Sequence, residues 1–73
     1  MSQPSESAEA INHRGLQKRA KGDLDGALAD YSRAIELKPD LAAAWTYRAA
    51  IRRENGDLPG ALADRNTSLE LNP

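Results

Sequence analysis

The chain has 73 residues, 40% hydrophobic and 29% charged, with a formal net charge of -1, a balance typical of a soluble folded chain rather than a disordered or membrane-embedded one. At this length a single core nets only roughly 3–5 kcal/mol, and little room is left for a catalytic centre. There is no cysteine and only one histidine, His13, which excludes disulfides, thiolate metal sites and His-paired nucleophiles; the near-neutral charge lacks the signature of a nucleic-acid binder.

Residues 1–7 form a polar leader with no apolar run of the signal-peptide kind, and no stretch approaches the ~20 apolar residues of a membrane span. The expected compartment is cytoplasmic. Ser5 or Ser7 is placed to cap a first helix that begins near Ala8 and ends before Gly22. A second helix is expected over residues 24–37. Leu24, Ala27, Leu28, Tyr31, Ala34 and Ile35 follow the spacing of one helical face, Asp23 supplies the N-cap, and Pro39 closes the helix. A third helix, over about 41–55, has two apolar sides and Asp40 as its expected cap. Ala44, Tyr47 and Ile51 share one side, from which Ala44 and Ile51 should meet the second helix, and Trp45 on the other should meet the fourth. The fourth helix, over 58–71, starts behind Gly56 and the cap Asp57, with Pro59 tolerated in its first turn.

These elements recur with a period of 34 residues. Gly22-Asp23-Leu24 aligns with Gly56-Asp57-Leu58, Gly26-Ala27-Leu28-Ala29-Asp30 with Gly60-Ala61-Leu62-Ala63-Asp64, and Pro39 with Pro73. The expected fold is therefore all-α: two tandem helix-turn-helix repeats, residues 8–41 and 42–73, forming an α-solenoid of four antiparallel helices.

The period and the residues at signature positions resemble the tetratricopeptide repeat family: Gly15, Ala27, Tyr31, Ala34 and Pro39 in the first copy, and Trp45, Ala49, Ala61 and Pro73 in the second. The resemblance covers about nine-tenths of the chain. It departs where the signature has Leu and Tyr in the first helix of each pair. This chain has Arg14 and Lys18, then Arg48 and Arg52, while Arg65 replaces the second-helix aromatic. Asp30 and Asp64 lie opposite these cations in an antiparallel pairing, so an ion-pair ladder is expected in preference to a basic ligand stripe.

The resemblance implies a non-enzymatic scaffold that binds a peptide or partner protein in a concave groove lined by the first helix of each repeat. On the helical wheel that face carries Glu9, Asn12, Leu16 and Arg19, then Thr46, Ala50, Arg53 and Glu54, with Ala20 and Ala43 beside them. Arg19 and Arg53, one repeat apart, suit an acidic partner. The acidic-tail clamp of chaperone-binding members is not expected, since Asn12, Leu16 and Thr46 stand at the relevant positions. The alternative is a self-association module: Leu58, Leu62, Leu69 and Leu71 on the last helix have no following helix to cover them, so a homo-oligomer or a longer repeat array would bury them. Catalytic residues, cofactors and metal are expected to be none. Ser5, Ser7, Ser32 and Ser68 have no base at a useful spacing, and the glycines belong to turns and first helical turns rather than to a phosphate loop. Nucleic acid is not the expected partner, because an aromatic content of 4% offers almost no stacking platform.

Overall fold

The computed structural model describes residues 6–73, which form four helices: α1 (Ala8–Ala20), α2 (Leu24–Leu37), α3 (Ala42–Glu54) and α4 (Leu58–Leu71). Of the polar leader and the two candidate caps, Ser5 lies outside the described residues. Ser7 caps α1, its Oγ accepting from the Ala10 N–H at 3.1 Å. Asp23 and Asp57 cap α2 and α4 as expected, each Oδ1 accepting from the N–H three residues on, Gly26 at 2.9 Å and Gly60 at 3.0 Å. A Cβ at either glycine would fall within van der Waals radius of the capping carboxylate, at 2.2 Å. A larger residue at either position would therefore oblige the flexible aspartate side chain to shift.

The turns inside the repeats are Schellman motifs. Gly22 and Gly56 take φ of 86° and 84°, a region open to glycine at little cost. The following Asp23 N–H reaches the Lys18 carbonyl at 2.9 Å, and the Asp57 N–H reaches that of Arg52 at 2.8 Å. The connection between the repeats is built differently. Leu41, not Asp40, occupies the N-cap of α3, and no side chain caps that helix. Asp40 falls one position early because the 38–41 segment forms a turn closed by the Leu41 N–H on the Lys38 carbonyl at 3.0 Å.

Two apolar clusters join the helices. One gathers Ala8 and Ile11 of α1, Ala34 and Ile35 of α2, and Ala44 of α3, with Leu41 and Trp45 against it. The other packs Ile51 of α3 onto Ala27 and Tyr31 of α2, flanked by Leu24, Leu28 and Tyr47. Ala44 and Ile51 therefore meet α2 as expected. Trp45 does not turn toward α4. It packs over the first cluster, and its Nε1 donates to the Pro39 carbonyl at 2.8 Å. A side chain in the first turn of a helix leans toward the helix N-terminus, which here carries the indole over the inter-repeat connection.

The result is a slab of 42 × 28 × 14 Å, little thicker than one helix with its side chains. Every helix consequently keeps a solvent-facing side. Tyr31, fully buried, fills the first repeat by packing against Gly15, where a Cβ would come within 2.6 Å of its ring. The second repeat has Ala49 and Arg65 at the corresponding positions. Gly15→Leu is expected to lower stability by about 1–3 kcal/mol in chemical denaturation through overpacking. Ala49→Leu should stay within about 0.5 kcal/mol, and equal losses at the two positions would show that Tyr31 does not wedge the first repeat.

Candidate functional site

The recurring cations of the first helices are engaged inside the repeats. Arg14 grips Asp30 with two parallel bonds, Nε to Oδ2 at 3.0 Å and Nη2 to Oδ1 at 2.9 Å, and Lys18 approaches the same carboxylate at 3.2 Å. One repeat later Arg48 makes the same fork to Asp64, at 2.8 and 2.9 Å, and Arg52 adds a bond of 3.2 Å. Both aspartates are buried. The hydrogen bond from Arg14 holds the Asp30 carboxyl below its ordinary value, against the opposing effect of burial. Arg48 is also the more enclosed cation, its side chain 15% exposed against 44% for Arg14; it stacks over the Trp45 ring at 5.0 Å and reaches Ser32 Oγ at 3.3 Å. These four cations clamp helix to helix and leave no basic stripe free for a ligand.

The residues expected along the first-helix face separate into different places. Thr46, Ala50 and Arg53 line one depression, of about 320 Å³, together with Ala49, and α4 closes its other wall with Leu58, Ala61, Leu62 and Arg65. Leu16, Arg19 and Glu54 line a second hollow near the α1–α2 turn, of about 390 Å³. There Arg19 is bonded to Glu54 across the repeat boundary, Nη2 to Oε2 at 2.7 Å. That bond lowers the Glu54 carboxyl and raises the Arg19 guanidinium. Glu9 lies at the other end of α1, bonded to Lys38 Nζ at 2.7 Å. Asn12 is buried under this surface, only 8% exposed, and its Oδ1 finds no partner among the described residues. Arg19 and Arg53 are therefore not a matched pair: one is neutralised by a neighbour, while the other has no ion-pair partner among the described residues.

The leucines considered for self-association also divide. Leu58 and Leu62, about 60% exposed, sit on the same depression as Thr46, Ala50 and Arg53. Groove and oligomer surface, separate in the sequence reading, thus coincide at this point. Leu69 takes the place in α4 that buried Ile35 takes in α2, and it is exposed. Leu71 corresponds to Leu37, which remains exposed although α3 covers the first repeat. Its exposure is a property of that repeat position and does not mark a missing neighbour.

The repeat supplies its own comparison for the depression. In the first copy, Leu24, Ala27, Leu28 and Tyr31 are covered by Tyr47 and Ile51 of α3. The second copy presents Leu58, Ala61, Leu62 and Arg65 in the same order, and among the described residues no further helix packs over them. A signal for this was available in the sequence, since aligning the copies sets Tyr31 against Arg65 and Gly15 against Ala49 at the centre of the face.

The family model for the TPR repeat matches residues 15–52, from the middle of α1 through the inter-repeat junction to the end of α3, just over half of the chain. Together with four helices paired as two antiparallel hairpins, this places the chain in the tetratricopeptide repeat family. Repeats of this family generally mediate protein–protein interaction and are typically non-enzymatic scaffolds. No curated protein matches the chain in sequence. Among the described residues no helix is long and apolar enough to cross a membrane.

The clamp at Asp30 carries a pH dependence whose sign follows from its lowered carboxyl. Its stabilisation is present above the unfolded value, ~3.9, and is lost as pH falls through the folded value below it. Asp30→Asn should cost about 1–3 kcal/mol at pH 7, and urea denaturation at descending pH should show that difference closing below about pH 4. A gap independent of pH would mean that the carboxylate charge is not what Arg14 and Lys18 hold.

Proposed function

We propose that residues 8–41 and 42–73 act as the two repeats of a protein-interaction module whose contact site is the depression between α3 and α4. The observation that carries this reading is the pairing of an apolar floor, Ala50, Leu58, Ala61 and Leu62, with two rim guanidiniums, Arg53 and Arg65, that have no ion-pair partner among the described residues. Small concave apolar patches with a few polar groups at the edge are the usual form of a recognition site. Thr46, Ala50 and Arg53 of the first-helix face belong to this site. The hollow at Leu16, Arg19 and Glu54 is the weaker candidate, because its only cation is already paired.

The same leucines support a second reading, self-association through Leu58, Leu62 and Leu69, since these side chains stay exposed where their first-repeat counterparts are covered. One short seam of this size favours modest affinity in either case, of about micromolar order for a short ligand.

Peptides selected from a neutral and acidic display library, titrated into isotope-labelled protein, should shift the amide resonances of Thr46, Ala50, Arg53, Ala61 and Leu62. Leu62→Glu should abolish those shifts with helicity unchanged. Shifts centred on Leu16 and Arg19 instead would move the site. Concentration-dependent sedimentation that Leu62→Glu abolishes would favour the second reading.

A further inference from the structure

We propose that the α3/α4 face receives an amphipathic helix of a partner protein, one carrying a small residue, an aromatic, a branched aliphatic and a carboxylate at positions i, i+3, i+7 and i+10. The proposal rests on the interaction reading above and adds the chemistry of the partner.

The template lies inside the chain. α3 covers the first repeat with four residues at this spacing. Ala44 enters the cluster of Ala34 and Ile35, Tyr47 stands 5.7 Å from the Tyr31 ring, Ile51 packs on Ala27 and Tyr31, and Glu54 bonds Arg19 at 2.7 Å. These positions share one helical face. Moving one repeat along keeps part of the apolar receptor and changes its charge: Ala27 becomes Ala61 and Ile35 becomes Leu69, while Ala34 becomes Ser68, Arg19 becomes Arg53 and Tyr31 becomes Arg65. Glu54 and Arg19 both lie close enough to Tyr31 to act on its hydroxyl electrostatically. A carboxylate arriving one repeat later would accordingly meet two guanidiniums, Arg53 and Arg65, where Glu54 meets one. Both line the depression, and a guanidinium pair converging on one carboxylate gives charge complementarity with a defined register.

A second copy of the chain fits this face poorly. Stacked head to tail it would offer α1, which has Ala10, His13, Gln17 and Ala20 at the four positions, so the aromatic, the branched aliphatic and the carboxylate are all missing from it. His13 and Gln17 are exposed on that helix, and Ala20 would bring no carboxylate to Arg53 and Arg65. Two copies meeting α4 to α4 would instead crowd the four rim guanidiniums into one seam. The outer face of α1 therefore does not match the α3/α4 face, whose free guanidiniums call for an acidic helix.

The test uses a lactam-constrained helical peptide with Ala, Tyr, Ile and Glu at the four positions and neutral residues elsewhere, titrated calorimetrically into the full chain. Binding is expected, weakened at least tenfold when the peptide Glu is replaced by Lys. An Arg53→Glu, Arg65→Glu variant, which alters only exposed side chains, should reverse the preference and favour the Lys peptide. Equal binding of both peptides, lost in Leu62→Glu, would overturn the carboxylate requirement while leaving the interaction site in place. Failure of either helix to bind, while display-selected peptides still shift the Ala50 and Leu62 resonances, would do the same for the helical partner. Peptide binding indifferent to Leu62→Glu would overturn both readings. A chain dimer displaced by no helical peptide would assign the face to a second copy.

Discussion

The contact on which the rest of this structure depends is the seating of Tyr47 and Ile51 of α3 on Ala27 and Tyr31 of α2. A helical hairpin has more apolar surface than its own pairing covers, and in a slab only 14 Å thick no remote element can fold back to cover the excess. The next repeat must do it. That requirement places α3, turns Ala44 toward Ile35, and holds Trp45 over the connection between the repeats. The second hairpin has the same need, and among the described residues no helix packs over its outer face.

Within each hairpin the work is divided between apolar burial and the aspartate clamp. The cores are built largely of alanine, small side chains that bring helices close but bury little area. Asp30 and Asp64 add a bidentate bond from an arginine sixteen positions earlier, fixing the register of the two helices where small side chains alone would allow sliding. The buried pairs are thus best understood as specifying alignment. Their cation stems meanwhile cover apolar surface that Leu and Tyr would otherwise cover. Local punctuation completes the unit, with a Schellman glycine, an aspartate cap and a second glycine beneath the cap in each copy.

Much of this was legible in the sequence because it is local or periodic. The caps at Asp23 and Asp57 follow from residue type and position, and the Arg14–Asp30 pairing from antiparallel geometry. What escaped was set by axial placement. A helical wheel gives the angle of a side chain but not which neighbour stands at that height, so it does not show that Trp45 lies over the inter-repeat connection or that Asn12 lies beneath the surface. The same limit hid the bond from Arg19 to Glu54, which splits the expected face into two hollows. It also hid the meeting of Leu58 and Leu62 with Thr46, Ala50 and Arg53 on one depression. Asp40 was displaced as a cap by the turn at Lys38, a feature with no strong local signal. Exchange of Tyr31 for Arg65 was visible throughout; its meaning required knowing that Tyr31 lies beneath α3.

Native-state hydrogen exchange, residue by residue, on a dilute sample shown by sedimentation to be monomeric, tests most directly whether the second repeat is an uncovered copy of the first. The α2 amides, covered by α3, should exchange only through the largest openings of the chain, while those of α4 exchange through smaller ones despite nearly the same local sequence. Protection of α4 equal to or greater than that of α2 in the monomer would contradict it.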